Sequence, residues 1–355
     1  MSFLSSFCLC IFLTAVHEGE SSFQASYRKH KGRYLANHVF RKEEAKYEHD
    51  CATYCIRDEL CASVNYKVSG ESKGLCELNS KPLHDDTKKE TYNVEFNHLA
   101  IVKKDCPEVG QVFSTETKLC TRSPSCNELL LQNGRLPDGR YTMQLNTSES
   151  PYTAYCHMSD ISNCGGGGWT LVLKVDGVQS TFTYESPYWT NKESYAVEDG
   201  LEGLTEKESK LASYWNTPFK KICLGMTVNG DRRWMVLNYE ASSLYSVIAG
   251  NQFQRTSAGK DSWKSLIAGS LLQKNCNTEG FNVNFQSHDS SLKTHVRFGF
   301  VANNEHDCLS CDSWVGFGVN FVGCDTSESK SCGNRAVCAA DKVVDIQAFG
   351  YILVQ

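Results

Sequence analysis

The chain has 355 residues, of which 36 are Lys or Arg and 41 Asp or Glu, a formal net charge of −5. So mild a balance gives no sign of a nucleic-acid-binding surface. The length allows two domains with cores of their own, at roughly 100 to 200 residues each.

Residues Phe3 to Val16 form an apolar run containing Cys8 and Cys10, followed by the polar His17-Glu-Gly-Glu-Ser-Ser. The run is shorter than the ~20 residues that a bilayer span requires. Residues 1–22 therefore read as a secretory signal peptide, although no Lys or Arg precedes the run; a buried N-terminal strand is the alternative. Eighteen cysteines, less these two, leave sixteen between Cys51 and Cys338. In a secreted chain an even set of this kind is a disulfide framework. Zinc ribbons would repeat the Cys-x2-Cys pair, and only Cys308 and Cys311 have that spacing. No second apolar run approaches spanning length, so the expectation is an extracellular protein without a membrane span. The basic cluster Tyr27-Arg-Lys-His-Lys-Gly-Arg reads as a solvated strand or arm, with a heparin-like contact as the alternative.

From residue 26 to 106 the chain reads as one small unit. Asp50 is placed as a helix N-cap, and the spacing of four puts Cys51 and Cys55 on one helical face. Cys61-Ala-Ser-Val-Asn-Tyr alternates like a strand, Ser69-Gly-Glu-Ser-Lys-Gly makes a turn, and Cys76-Glu-Leu-Asn returns as a second strand. Four cysteines allow three pairings, and spacing does not choose among them. The arrangement resembles a PAN/apple domain, in which a helix carrying two cysteines is pinned to a central sheet. That resemblance implies pairing of Cys51 with Cys76 and of Cys55 with Cys61, and a module that contacts proteins or carbohydrates. Residues 107–125 read as a connector, too short for an EGF-like unit, in which Cys106 and Cys120 would close a short loop.

Residues 126–355 read as a single large domain. Short strands recur at Trp169-Thr-Leu-Val-Leu-Lys-Val, Arg233-Trp-Met-Val-Leu-Asn-Tyr, His295-Val-Arg-Phe-Gly-Phe-Val and Ala348-Phe-Gly-Tyr-Ile-Leu-Val, with helical or irregular pieces such as Glu206 to Trp215 between them. This mixture predicts an α+β fold around a largely antiparallel sheet. Asn146-Thr-Ser is an acceptor sequence for N-glycosylation in a surface loop. Four consecutive glycines, 165 to 168, follow Cys164 and precede Trp169. Glycine reaches φ > 0 without a Cβ clash, so the run can fold tightly against the strand that Trp169 begins. No Lys-Ser/Thr follows, so it is not a phosphate cradle.

With Tyr141-Thr-Met, Tyr155-Cys-His-Met and Trp169-Thr-Leu-Val, this run resembles the entry to a fibrinogen C-terminal-like domain, a secreted recognition module. The resemblance implies that Cys126 and Cys156 are bonded. Asn303-Asn-Glu-His-Asp-Cys-Leu-Ser-Cys-Asp-Ser-Trp-Val-Gly-Phe-Gly, Ser331-Cys-Gly-Asn and the terminal strand narrow it to a cnidarian group that includes skeletal organic matrix proteins of corals. Cys324 and Cys338 look like additions to that pattern, free to bond to each other.

Residues 303–312 concentrate oxygen ligands, and Ca²⁺ seeks six to eight of them. Fibrinogen-like domains often bind calcium here through an Asp-x-Asp loop. In this chain that loop is absent, and Asp307 and Asp312 stand five apart with Cys308 and Cys311 between them. A polar disulfide-pinned turn is the expectation; a calcium site at Asp307 and Asp312 is the alternative, and zinc on His306, Cys308 and Cys311 is disfavoured where thiols oxidise. Trp314-Val-Gly-Phe-Gly-Val-Asn-Phe reads as a half-buried strand, with an aromatic ligand pocket as the alternative. The family's late Gly-Gly-Trp-Trp segment is missing. No Gly-x-Ser-x-Gly elbow and no His-Glu-x-x-His helix is present. The expected protein is not an enzyme: it is a secreted binding, adhesion or extracellular matrix glycoprotein that contacts proteins or glycans, with a calcium-dependent lectin as the alternative.

Overall fold

The computed structural model describes residues 11–14, 24–81, 90–104, 111–113, 120–145, 150–288, 291–324, 326–338 and 342–355. The chain divides into two compact units, residues 1–122 and 123–355. Every strand pair in both is antiparallel. No helix among the described residues is long and apolar enough to cross a membrane.

The first unit contains β1 (Ile11–Thr14), β2 (Gln24–Leu35), β3 (Val39–Glu44), α1 (Glu48–Ile56), β4 (Ser63–Lys67), β5 (Leu75–Asn79) and β6 (Glu90–Lys104). The strands form one sheet in the order β1-β2-β6-β4-β5-β3. Of the expected leader, residues 1–22, only β1 is described, with Ile11 opposite Tyr27 and Thr14 opposite Gln24. The chain enters α1 at Tyr47, whose φ is −132°. Asp50 lies in the third helical position, not at the N-cap, and accepts the Tyr47 N–H at 3.0 Å. A carboxylate there reaches back to an orphan donor and also meets the positive end of the helix. Cys51, Ala52, Cys55 and Ile56 face the sheet, packed on Val64, Tyr66, Leu78, Leu99 and Ile101.

Strand alternation gives the opposite face to Ser63, Asn65, Glu77, Asn79 and His98, all buried. Asn65 closes a two-way bond with Leu35, accepting its N–H at 3.1 Å and donating to its carbonyl at 3.0 Å. The segment read as a connector, 107–125, holds a small hairpin of β7 (Gln111–Phe113) and β8 (Cys120–Arg122).

The second unit begins with α2 (Cys126–Asn133), β9 (Gly139–Met143), β10 (Tyr152–His157), β11 (Trp169–Asp176), α3 (Val197–Leu201), β12 (Ser209–Lys210), α4 (Ser213–Asn216), β13 (Phe219–Val228) and β14 (Asp231–Ala241). It continues through α5 (Leu244–Ile248), β15 (Gln254–Arg255), α6 (Lys260–Ser265), β16 (Asn275–Gln286), β17 (Lys293–Asn303), β18 (Ser313–Gly323), β19 (Thr326–Ala336), β20 (Val344–Gln347) and β21 (Phe349–Val354). One sheet was expected and there are two: β14-β13-β21-β11-β10-β9, with β12 beside β11, and β15-β16-β17-β18-β19-β20. The second arises because β16 to β19 pair only with sequence neighbours. Residues 206–215, read as helical or irregular, supply β12 and the one-turn α4.

One core joins residues of both sheets. Phe281, Phe298 and Phe317 stack with centroids 4.2 and 6.4 Å apart, and Trp263 meets Phe298 edge-on at 5.4 Å. Val172, Leu224 and Ile352 of the first sheet belong to the same cluster. Each such side chain contributes about 1.5–3 kcal/mol by leaving water. Trp314, Phe317 and Val319 of β18 are fully buried, so this aromatic stretch is core and not the wall of a pocket.

The glycine run has a steric cause. A Cβ on Gly167 would lie 1.6 Å from the Met158 carbonyl oxygen, and Gly168, at φ +88°, would place one 2.9 Å from the Asn127 backbone. Trp169 Nε1 donates to the Gly166 carbonyl at 2.7 Å and to that of Gly165 at 3.2 Å, closing the loop on its own strand.

Candidate functional site

Disulfides hold the surfaces of both units in place. Cys51 bonds Cys76, tying α1 to β5, and Cys55 bonds Cys61, tying the end of α1 to the approach to β4. Tyr27 Oη donates to the Ala52 carbonyl at 2.7 Å, so the helix is also pinned from β2; burial pushes its phenol far up. In the second unit Cys126 bonds Cys156, and Cys164 bonds Cys223. Asn146, the expected glycosylation site, and Cys106, the expected partner of Cys120, lie outside the described residues.

The 303–312 turn is pinned by a disulfide to a distant strand. Cys308 is joined to Cys276 of β16, and Cys311 is a buried free thiol. Cys324 and Cys338 are joined to each other. Asp307 and Asp312 take up separate surroundings. Asp307 is exposed, with one carboxylate oxygen on the Leu309 N–H and the other on Ser310 Oγ, each at 3.0 Å. Asp312 is buried, one carboxylate oxygen 4.0 Å from Cys324 Sγ. Burial pushes its carboxyl up to about 7, the nearby Glu305 adding to the rise and Gln273 opposing it. Asp312, Cys324 and Cys338 bring three potential ligand atoms together, but two are the sulfurs of one disulfide. His306 is exposed, and Cys308 is occupied by its bond, so the zinc set is not assembled.

Several polar centres escaped the sequence reading. Lys174 is a lone cation inside the apolar run of β11, and that was its signal. Its ammonium donates to the carbonyls of Asp199 and Gly203 and to Thr205 Oγ1. Burial brings it down to about 8. Lys210 is lowered to about 8 by burial too, and lies 4.6 Å from the centre of the Tyr214 ring and 5.5 Å from that of Trp215. Arg297 stacks on Tyr184 at 4.1 Å and donates to the Tyr184 carbonyl at 2.7 Å and to Asn282 Oδ1 at 3.1 Å. These are satisfied groups that anchor loops.

A cleft of about 570 Å³ opens where the start of α2, the start of β13 and the end of β14 meet. Its apolar lining includes Pro124, Pro218, Phe219 and Ala241. Ser125 caps α2 there, accepting the Glu128 N–H at 3.2 Å. The Gln355 carbonyl accepts the backbone N–H groups of Lys220 and Lys221 at 2.8 and 2.9 Å, which turns those two exposed side chains outward beside Glu128 and Glu240. An apolar floor with cations and carboxylates at its rim can take a polar ligand in a fixed orientation.

Six disulfides join described cysteines, a framework typical of extracellular proteins. A family profile described as the PAN domain matches residues 19–106. Within the first unit, residues 19–106 are therefore a PAN domain, a type of protein- or carbohydrate-binding module.

Proposed function

We propose that this chain is a secreted, non-catalytic binding or adhesion protein of the extracellular matrix, in which a PAN domain and a fibrinogen C-terminal-like unit each contact proteins or glycans. The observation that carries the reading is the PAN match over a unit whose only described helix is held to its sheet by two disulfides. The fibrinogen-like assignment is supported by the folded glycine run ahead of Trp169 and the Cys126–Cys156 bond. It extends to the resemblance with coral skeletal matrix proteins. Two binding modules in one chain raise each other's effective concentration at a shared surface. Removal of a leader at 1–22 would take β1 with it and bare the outer edge of β2, and Asn146 would carry the glycan.

The test is a glycan array and a matrix-protein binding screen with the full chain expressed through a secretory pathway, each run with and without chelator. The expected result is chelator-insensitive binding, weakened about tenfold by a Lys220→Glu, Lys221→Glu double variant at the cleft rim. Binding abolished by chelator and by Asp307→Ala or Asp312→Ala would replace this reading with a calcium-dependent lectin. A protein that remains in the cytosol with reduced cysteines would end it.

A further inference from the structure

Cys308-Leu-Ser-Cys311 places a free thiol three residues beyond a bonded cysteine. Cys311 Sγ lies 3.4 Å from the carbonyl oxygen of Cys308, so the thiol is tucked beneath the residue whose sulfur is joined to Cys276. Cys311 is buried, whereas Cys276 and Cys308 are half-buried. Cys276 sits at the irregularity in the pairing of β16 with β17, with φ +58°, a left-handed conformation that a side chain disfavours. The Cys276–Cys308 bond thus closes on strained backbone, next to a thiol that can form a shorter loop with the same sulfur.

We propose that Cys276, Cys308 and Cys311 form a thiol–disulfide exchange site with two bonding states: Cys276–Cys308 with Cys311 reduced, and Cys308–Cys311 with Cys276 reduced. In the exchange Cys311 loses its proton to water and its thiolate attacks Cys308 Sγ. The Cys308–Cys311 bond forms as the Cys276–Cys308 bond breaks, and the electron pair leaves on Cys276 Sγ, which takes up a proton. No oxidant or reductant is consumed. The exchange trades an enclosed thiol for a half-buried one on β16 and releases the 303–312 turn from that strand. Burial, with Asp312 and Asp307 adding to it, pushes the Cys311 thiol up to about 12, which holds the first state in place until the turn loosens. The proposal goes beyond the binding function and does not depend on it.

Cys332, a second free thiol among the described residues, buried in the core with the stacked phenylalanines, is an internal clock for unfolding of the unit. The full chain, prepared without reductant, is incubated with N-ethylmaleimide, quenched at intervals, digested with pepsin at acid pH and mapped without reduction. The expected result is label accumulating on Cys276 together with a Cys308–Cys311 peptide, at least tenfold faster than label on Cys332. Cys311→Ser should abolish it, and Cys308→Ser should label Cys276 at once, which establishes that position as accessible. If either variant fails to fold, the wild-type map still decides. The proposal is overturned if label falls on Cys311 with Cys276–Cys308 intact, if it falls on Cys324 or Cys338, if Cys276 labels only in step with Cys332, or if Cys276 stays unlabelled.

Discussion

The first unit lays one helix on one sheet, while the second packs two sheets around stacked aromatics, and their disulfides do different work as a result. In the first, Cys51, Cys55, Cys61 and Cys76 are themselves core residues alongside Val64 and Leu99. A layer that thin buries too little apolar surface to stand alone, and cross-links that restrict the unfolded chain make up the difference. In the second, the three stacked phenylalanines and Trp263 supply a core that contains no bonded cysteine; Cys126, Cys156, Cys164 and Cys223 are buried in smaller clusters beside it, and the bonds fasten the glycine loop, the start of α2 and the 303–312 turn. Covalent closure substitutes for a core in one unit and trims loops in the other.

The largest effect that would break this contrast is at Phe298. Phe298→Ala should destabilise the second unit by about 4 kcal/mol through lost burial and a cavity, read as a lowered calorimetric transition with the first unit's unchanged. A smaller loss than that of removing Cys126–Cys156 would reverse the assignment. Next is the double variant Cys51→Ala, Cys76→Ala, which opens a bond spanning 25 residues and should cost the first unit about 3 kcal/mol. Urea midpoints followed by hydrogen exchange in α1 measure it.

Buried titratable groups sharpen the contrast. His98 in the first unit is held down to about 3 by burial, with His30 nearby, against an ordinary value of 6.5. The protein thus binds fewer protons than its unfolded chain between those values, and this contribution to stability is present above pH 6.5 and lost as pH falls toward 3. Asp312 in the second unit is held up to about 7 against 3.8, so its contribution is full below pH 3.8 and lost as pH rises through 7. Asp312→Asn should therefore raise the urea midpoint at pH 8 by the equivalent of ~2 kcal/mol and leave it unchanged at pH 3.5. His98→Gln should do the converse, gaining about 2 kcal/mol at pH 5 and nothing at pH 8. The smallest expected effect is Tyr27→Phe, which deletes one buried hydrogen bond to Ala52 for about 1 kcal/mol; a cost as large as the opened disulfide would mean that the phenol, not the bond, holds α1.

Local signals were legible in the sequence where a residue type has few alternatives. The i, i+4 cysteines, the turn at 69–74 and the tryptophan-led strand each map onto an element. Asp50 was misplaced because a carboxylate serves the same helix end from the N-cap or from one turn inside. The partner of Cys308 was unreadable, because the pairing of β16 with β17 brings Cys276, thirty-two positions away, to the turn. The division into two sheets was hidden for a similar reason: alternation marks a strand, not its neighbour. The cleft rests on residues from α2, β13 and β14 with no common pattern between them.

β21 runs down the middle of its sheet, hydrogen-bonded to β11 on one side and β13 on the other. It is the last of these elements to be synthesised. Until residues 349–354 emerge from the ribosome, β11 and β13 lack the strand between them, each with a row of unpaired backbone N–H and C=O groups open to other chains. The order of the strands therefore leaves this sheet unfinished until its central strand is made, and a product truncated before Phe349 would present two such edges permanently.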